Sequence, residues 1–63
     1  MEYVGVRDGR KVWRSPKRDR FYTWDELHGE VEVFDKRGNH ISVVDPLVGE
    51  AIKDPEPGRR LKL

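Results

Sequence analysis

Apolar and polar residues alternate in short stretches along this chain, and no stretch keeps a helical period. Tyr3 to Val6 and Arg10 to Arg14 flank Asp8-Gly9, a pair that tolerates the positive φ angles of a two-residue turn, which predicts a first hairpin. Ser15-Pro16 interrupts the ladder, and Phe21 to Trp24 then reads as a strand of aromatic and β-branched residues, with Trp13 and Trp24 expected to close the core. From Val31 to Val33 the residues alternate apolar and charged. If Gly29 only bends the chain, His28, Glu30 and Glu32 project from one exposed face while Val31 and Val33 face the core.

The next hairpin has a predictable register, because Lys36, Arg37 and Gly38 suit a three-residue loop with glycine in the left-handed position. That loop pairs Val33 with Ile41 and Val31 with Val43, and leaves Glu30, Glu32, Phe34, His40, Ser42 and Val44 on the other face. A two-residue loop would set Val33 opposite Ser42 and Glu32 opposite Val43, mixing the faces. Asp45-Pro46 opens a turn that ends at Gly49, and Glu50 to Lys53 forms a last strand. Residues 54–63, "DPEPGRRLKL", make an irregular tail, either a disordered end or a segment that Pro55 and Pro57 stiffen over the sheet. No repeat is visible. The expected fold is mainly β, a small and highly twisted antiparallel sheet or barrel, with residues 1–63 as a single domain.

At 63 residues the chain is close to the lower limit for a self-supporting core. It has no cysteine, so neither a disulfide framework nor a Cys-based zinc site supports it. No apolar run approaches the ~20 residues of a membrane span, and the first ten residues lack the apolar stretch of a signal peptide. The net charge of +1 conceals an uneven distribution. Over residues 7–20 seven basic residues face only Asp8 and Asp19, and Arg59, Arg60 and Lys62 form a second basic cluster around an acidic middle. Such ends suit a polyanion held about a carboxylate site, or equally a solubilising surface.

Asp25, His28 and Glu32 lie about Gly29 and bring a base and a proton donor together. RNA carries its own nucleophile, so its cleavage needs only a base, an acid and stabilisation of phosphate charge. Asp25, His28 and His40 are also readable as metal ligands, but their spacing matches no compact zinc pattern, and the expectation is no metal and no cofactor.

These residues carry a resemblance. "YTWDELHGEVE", the "DP" turn before Gly49 and the closing "KDPEPGRR" are similar to the ribosome-inactivating ribonuclease domain of the colicin E3 family, over Trp13 to Leu63. The resemblance implies a toxin that cuts small-subunit 16S rRNA in the decoding centre without a metal, and a dedicated immunity protein, expected to be acidic. It also implies action in the bacterial cytoplasm, by delivery as part of a larger secreted toxin or by a free-standing one, with no membrane contact by this domain. By position it places the catalytic residues at Asp25, His28, Glu32 and Arg59. Arg14, Lys17, Arg18, Arg20, His40, Arg60 and Lys62 are further candidates for touching RNA. Where the family has Gly-Tyr after the catalytic Glu, this chain has Val33 and Phe34. The competing readings are a noncatalytic RNA- or protein-binding β module and an inactive relic of the toxin.

Overall fold

Three aspartates ten residues apart, Asp25, Asp35 and Asp45, open three of the turns, each by accepting backbone N–H bonds on its own side chain. Asp25 Oδ1 accepts from Leu27 N–H and Asp45 Oδ1 from Leu47 N–H, while Gly29 and Gly49 donate back to the Asp25 and Asp45 carbonyls at 2.8 and 2.7 Å. "DELHG" and "DPLVG" are therefore one turn used twice, a short repetition that alternation alone does not reveal. Only the first carries a histidine.

These turns connect a meander described here, in a computed structural model, for residues 1–62; Leu63, the end of the expected domain and tail, lies outside the described residues. The strands are β1 (Glu2–Arg7), β2 (Arg10–Arg14), β3 (Arg20–Asp25), β4 (Glu30–Asp35), β5 (His40–Val44) and β6 (Ala51–Lys53). Each pairs antiparallel with the next in a single six-stranded sheet, as the alternation predicted. Asp8 and Gly9 take positive φ angles in the first turn, and Gly38 does so in the β4–β5 loop, both as expected.

The register of β4 with β5 departs from expectation. Phe34 pairs with His40 as predicted, but Ile41 is then an extra residue, and beyond it Val33 lies opposite Ser42, Glu32 opposite Val43 and Val31 opposite Val44. The predicted pairs Val33–Ile41 and Val31–Val43 do not form. A bulge reconciles a three-residue loop with the shifted ladder, and it brings Val43, in place of Ser42, to the Glu32 face that His40 shares.

That face is the inner one, contrary to the expected exposed placement of Glu32. Cross-strand partners project from the same side, and two rows run across it: Val12, Thr23, Glu32 and Val43, then Phe21, Phe34 and His40. Val12, Phe21, Phe34 and Leu61 form the core, with Val4 packed against it. Val33 is buried on the opposite face, opposite Tyr22. The tryptophans do not close the core: Trp13 meets Tyr3 at a centroid distance of 5.5 Å on the outer face, and Trp24 is 36% exposed opposite Val31.

Leu61 takes the closing role, and it does so because the tail is docked. Leu61 N–H donates to the Gly38 carbonyl at 2.7 Å, His40 N–H to the Arg59 carbonyl at 3.1 Å, and Glu56 N–H to His40 Nδ1 at 3.0 Å. Lys62 N–H reaches Asp8 Oδ2 at 3.4 Å, so the tail crosses from β5 to the first turn.

Gly38 is where that crossing is tightest, since a Cβ there would sit 2.5 Å from the Leu61 carbonyl oxygen at a φ of +88°. Gly38→Ala should destabilise the fold by about 2–3 kcal/mol, combining left-handed strain with displacement of the tail. Gly58→Ala, at φ +84° with nothing within 4 Å, should cost about 1–2 kcal/mol from strain alone. Urea denaturation of the two variants measures the difference; equal losses would mean that the Gly38–Leu61 contact contributes nothing.

Candidate active site

Asp25 ends β3, and its turn commits one of its two oxygens. Oδ1 accepts from the N–H groups of Leu27 and His28 at 3.0 and 3.2 Å, leaving Oδ2 to meet His28 Nδ1 at 2.7 Å. The His28 hydrogen bond holds the Asp25 carboxyl below its ordinary range, against the opposing effect of burial and with help from the His28 amide and the Arg10 guanidinium. An ionised carboxylate only accepts, so Nδ1 is the donor and Nε2 is the nitrogen left for other chemistry. The His28 side chain is 59% exposed and accessible from solvent.

Glu32 lies deeper, 8% exposed, where the inner face needs its charge compensated. Two guanidiniums do so at the same oxygen: Arg59 donates to Oε2 at 2.6 Å and Arg10 donates to it at 3.0 Å. Arg10 also stands 3.9 Å from Asp25 Oδ2, linking the Asp25–His28 pair to Glu32. Sequence reasoning counted Arg10 among the basic residues of the first hairpin but not in the site. Its signal was parity: two residues before Val12 on β2, it shares the face of Val12, Thr23 and Glu32. The irregular Ser15–Asp19 turn concealed the β2–β3 register needed to use that signal.

Arg10 divides two clefts. One, of about 230 Å³, is lined by Arg10, Thr23, Glu32, Phe34 and Arg59 among others; the second, of about 350 Å³, by Gly9, Arg10, Trp24 and Asp25. The hydroxyl of Thr23, directly opposite Glu32, is buried without a hydrogen-bond partner among the described residues.

The structure thus brings Asp25, His28, Glu32 and Arg59 to one end of the sheet. Arg60 points elsewhere, donating to the Arg37 carbonyl at 3.0 Å, and Lys62 is exposed beside the first turn. Arg14 pairs with Glu2 at 2.7 Å, while Lys17, Arg18 and Arg20 are exposed at the end of β3 opposite Asp25. His40 is not at the surface expected for a residue touching RNA. It is 6% exposed, edge-on to Phe34 at 5.4 Å, because the face it shares with Phe34 is the inner one and the tail covers it.

Asp25, His28 and Glu30 offer ligand atoms within 4.8 Å of one another, a different grouping from Asp25, His28 and His40. Asp25 Oδ2 and His28 Nδ1 are already bonded to each other, and Glu30 Oε1 to Lys53 Nζ at 3.2 Å, so a cation there would have to break both contacts.

The model of the Cytotoxic family matches residues 4–62. Among Escherichia coli proteins, the chain is 39% identical to colicin E3, 37% to cloacin and 35% to colicin E6, in each case over 54 residues. The matches cover 84% of this chain but 10% of each relative, so the chain spans about a tenth of their length.

The depressed Asp25 pKa carries a prediction with a definite sign. A carboxyl whose folded-state pKa lies below its unfolded value stabilises the fold above the unfolded value, and that contribution is lost as pH falls through the folded one. Asp25→Asn keeps the Oδ1 acceptor of the turn, so it should melt below the parent near neutral pH, with the gap closing only below the ordinary value of 3.8. Thermal melts across acidic pH give the test; a gap independent of pH would show that the Asp25 charge does not stabilise the fold.

Proposed function

The chain belongs to the Cytotoxic family, that of the colicin E3 toxin domain, and on that premise we propose that it is a ribosome-inactivating endoribonuclease acting on 16S rRNA in the decoding centre. The observation that carries this reading is the assembly of a carboxylate-held histidine, a second carboxylate and a tail arginine at one end of the sheet. Simple binding of a polyanion does not call for two carboxylates beside the phosphate.

In this reading Glu32 takes the proton of the 2′-hydroxyl as its oxygen attacks phosphorus. His28 Nε2 gives a proton to the departing 5′ oxygen as the P–O5′ bond breaks. The products are a 2′,3′-cyclic phosphate and a 5′-hydroxyl end. Asp25 orients the imidazole and supports its charge, and Arg59, with Arg10 beside it, neutralises charge gathering on the phosphorane. Side chains supply every proton and charge, so the reaction is metal-independent. Lys17, Arg18 and Arg20 contribute longer-range attraction for rRNA. The inhibitory partner is an acidic immunity protein, matched to the basic ends, and the domain acts in the cytoplasm of a bacterial target cell.

End-mapping of 16S rRNA after ribosomes meet the purified chain tests the proposal; binding without a cut would identify a noncatalytic module. Glu32→Gln should slow cleavage roughly 10² to 10⁴ fold. Parental rates would remove Glu32 from the base role. Arg59→Ala should lower turnover at saturating ribosomes roughly 10² fold or more, while Arg60→Ala mainly weakens encounter with RNA and does so less at high salt. Equal turnover losses would make the tail a nonspecific basic arm. On a short RNA fragment, inhibition by a chelator that added metal reverses would contradict metal independence.

A further inference from the structure

Both guanidiniums of the site are engaged on a single oxygen of Glu32, Oε2, whose two lone pairs are thereby taken, so that oxygen cannot remove a proton while both donors hold it. Resting on the ribonuclease reading, we propose that the Glu32 carboxylate occupies the place of the substrate phosphate on Arg10 and Arg59, and that an arriving phosphodiester displaces it and thereby frees the base.

Three features of the site lead there. Two converging arginines form the fork that a non-bridging phosphate oxygen receives, and their donors do not distinguish a carboxylate from a phosphate oxyanion. Access is graded in the required order: the Glu32 side chain is 11% exposed, whereas those of Arg10 and Arg59 are 35% and 38% exposed and line an open cleft of about 230 Å³. An anion entering from solvent meets the guanidiniums before it meets the carboxylate. The charge balance favours the exchange as well. Four arginines, Arg7, Arg10, Arg59 and Arg60, line the cleft against two carboxylates, Asp8 and Glu32, so its lining carries an excess of positive charge. A phosphodiester, with one negative charge, is drawn to that excess. When the arginines turn to the phosphate, Oε2 loses both donors and is left as an acceptor, with Arg59 placed on the group whose charge it must stabilise.

The device makes a counterintuitive demand on affinity: the residue assigned as base should compete with the anion. Inorganic phosphate, titrated at constant ionic strength and followed by the side-chain Nε–H resonances of Arg10 and Arg59, is the probe. Glu32→Gln should bind it roughly tenfold more tightly than the parent, the scale of one charge-assisted hydrogen bond released. Glu30→Gln removes an equal charge two residues along β4, from a carboxylate paired with Lys53, and should change affinity far less. In the parent chain, whatever the folding of the variants, phosphate should move the Glu32 Cδ resonance together with both arginine resonances along one saturation curve. Equal tightening in the two variants would reduce the effect to bulk charge and overturn the exchange. Weaker binding in Glu32→Gln would overturn it too, since Glu32 would then be holding the arginines in place for the anion. Arginine resonances that move while Glu32 Cδ stays still would also overturn it. No cleavage is read in these titrations, so failure of the exchange is distinguishable from failure of the ribonuclease reading.

Discussion

Glu32 places a carboxylate on the inner face of a sheet, beside the small core cluster of Val12, Phe21, Phe34 and Leu61, and the rest of the molecule is arranged to make that tolerable. A buried charge left without partners destabilises a fold severely, so Glu32 needs cations held at fixed distances. They come from opposite ends of the chain: Arg10 from the start of β2, and Arg59 from the tail more than two dozen residues after Glu32. Neither is local to β4. The site therefore exists only when the first hairpin and the tail are both in place, and its formation is coupled to completion of the fold.

The tail connects packing with chemistry. Leu61 fills the core beside Val12, Phe21 and Phe34, and its backbone is fastened to Gly38, so Arg59, two residues earlier, is held over Glu32. His40 has a supporting part here. Facing inward beside Phe34, it accepts the Glu56 N–H and anchors the segment that leads to Arg59. A histidine that looked like a surface residue is thereby a fastening for the tail. The alternation of neighbours in an extended segment then sends Arg60 to the Arg37 carbonyl and away from Glu32.

The outer face follows different rules. Tyr3, Trp13, Tyr22 and Val33 form a row across β1 to β4, with Trp24 opposite Val31 beside it. Aromatic cross-strand pairs stabilise a twisted sheet without needing a second layer, which suits a chain too short to supply one. The inner face is thereby left free to carry charge.

Local chemistry in the sequence determined the strands and turns, because alternation of period two and the φ preferences of Asp8-Gly9 and Gly38 act within a few residues. It also brought Asp25 and His28 into one candidate site, and the structure shows why they meet, since the turn that Asp25 opens carries the residue three places on within reach of its second oxygen. What it left undecided were matters of register and side. The bulge at Ile41 satisfies both the loop geometry and the inward placement of His40 and Val43, a balance between distant constraints that no short window contains. Which face of β4 is the inner one depended on Leu61, which packs against Phe34 from the far end of the chain and encloses Glu32 with it. Arg10 joined the site through two successive strand registers, across β2, β3 and β4. Turns are settled by residues adjacent in sequence, whereas burial and ion pairing are settled by whichever surfaces meet, and those surfaces meet only once the sheet has twisted and the tail has crossed it.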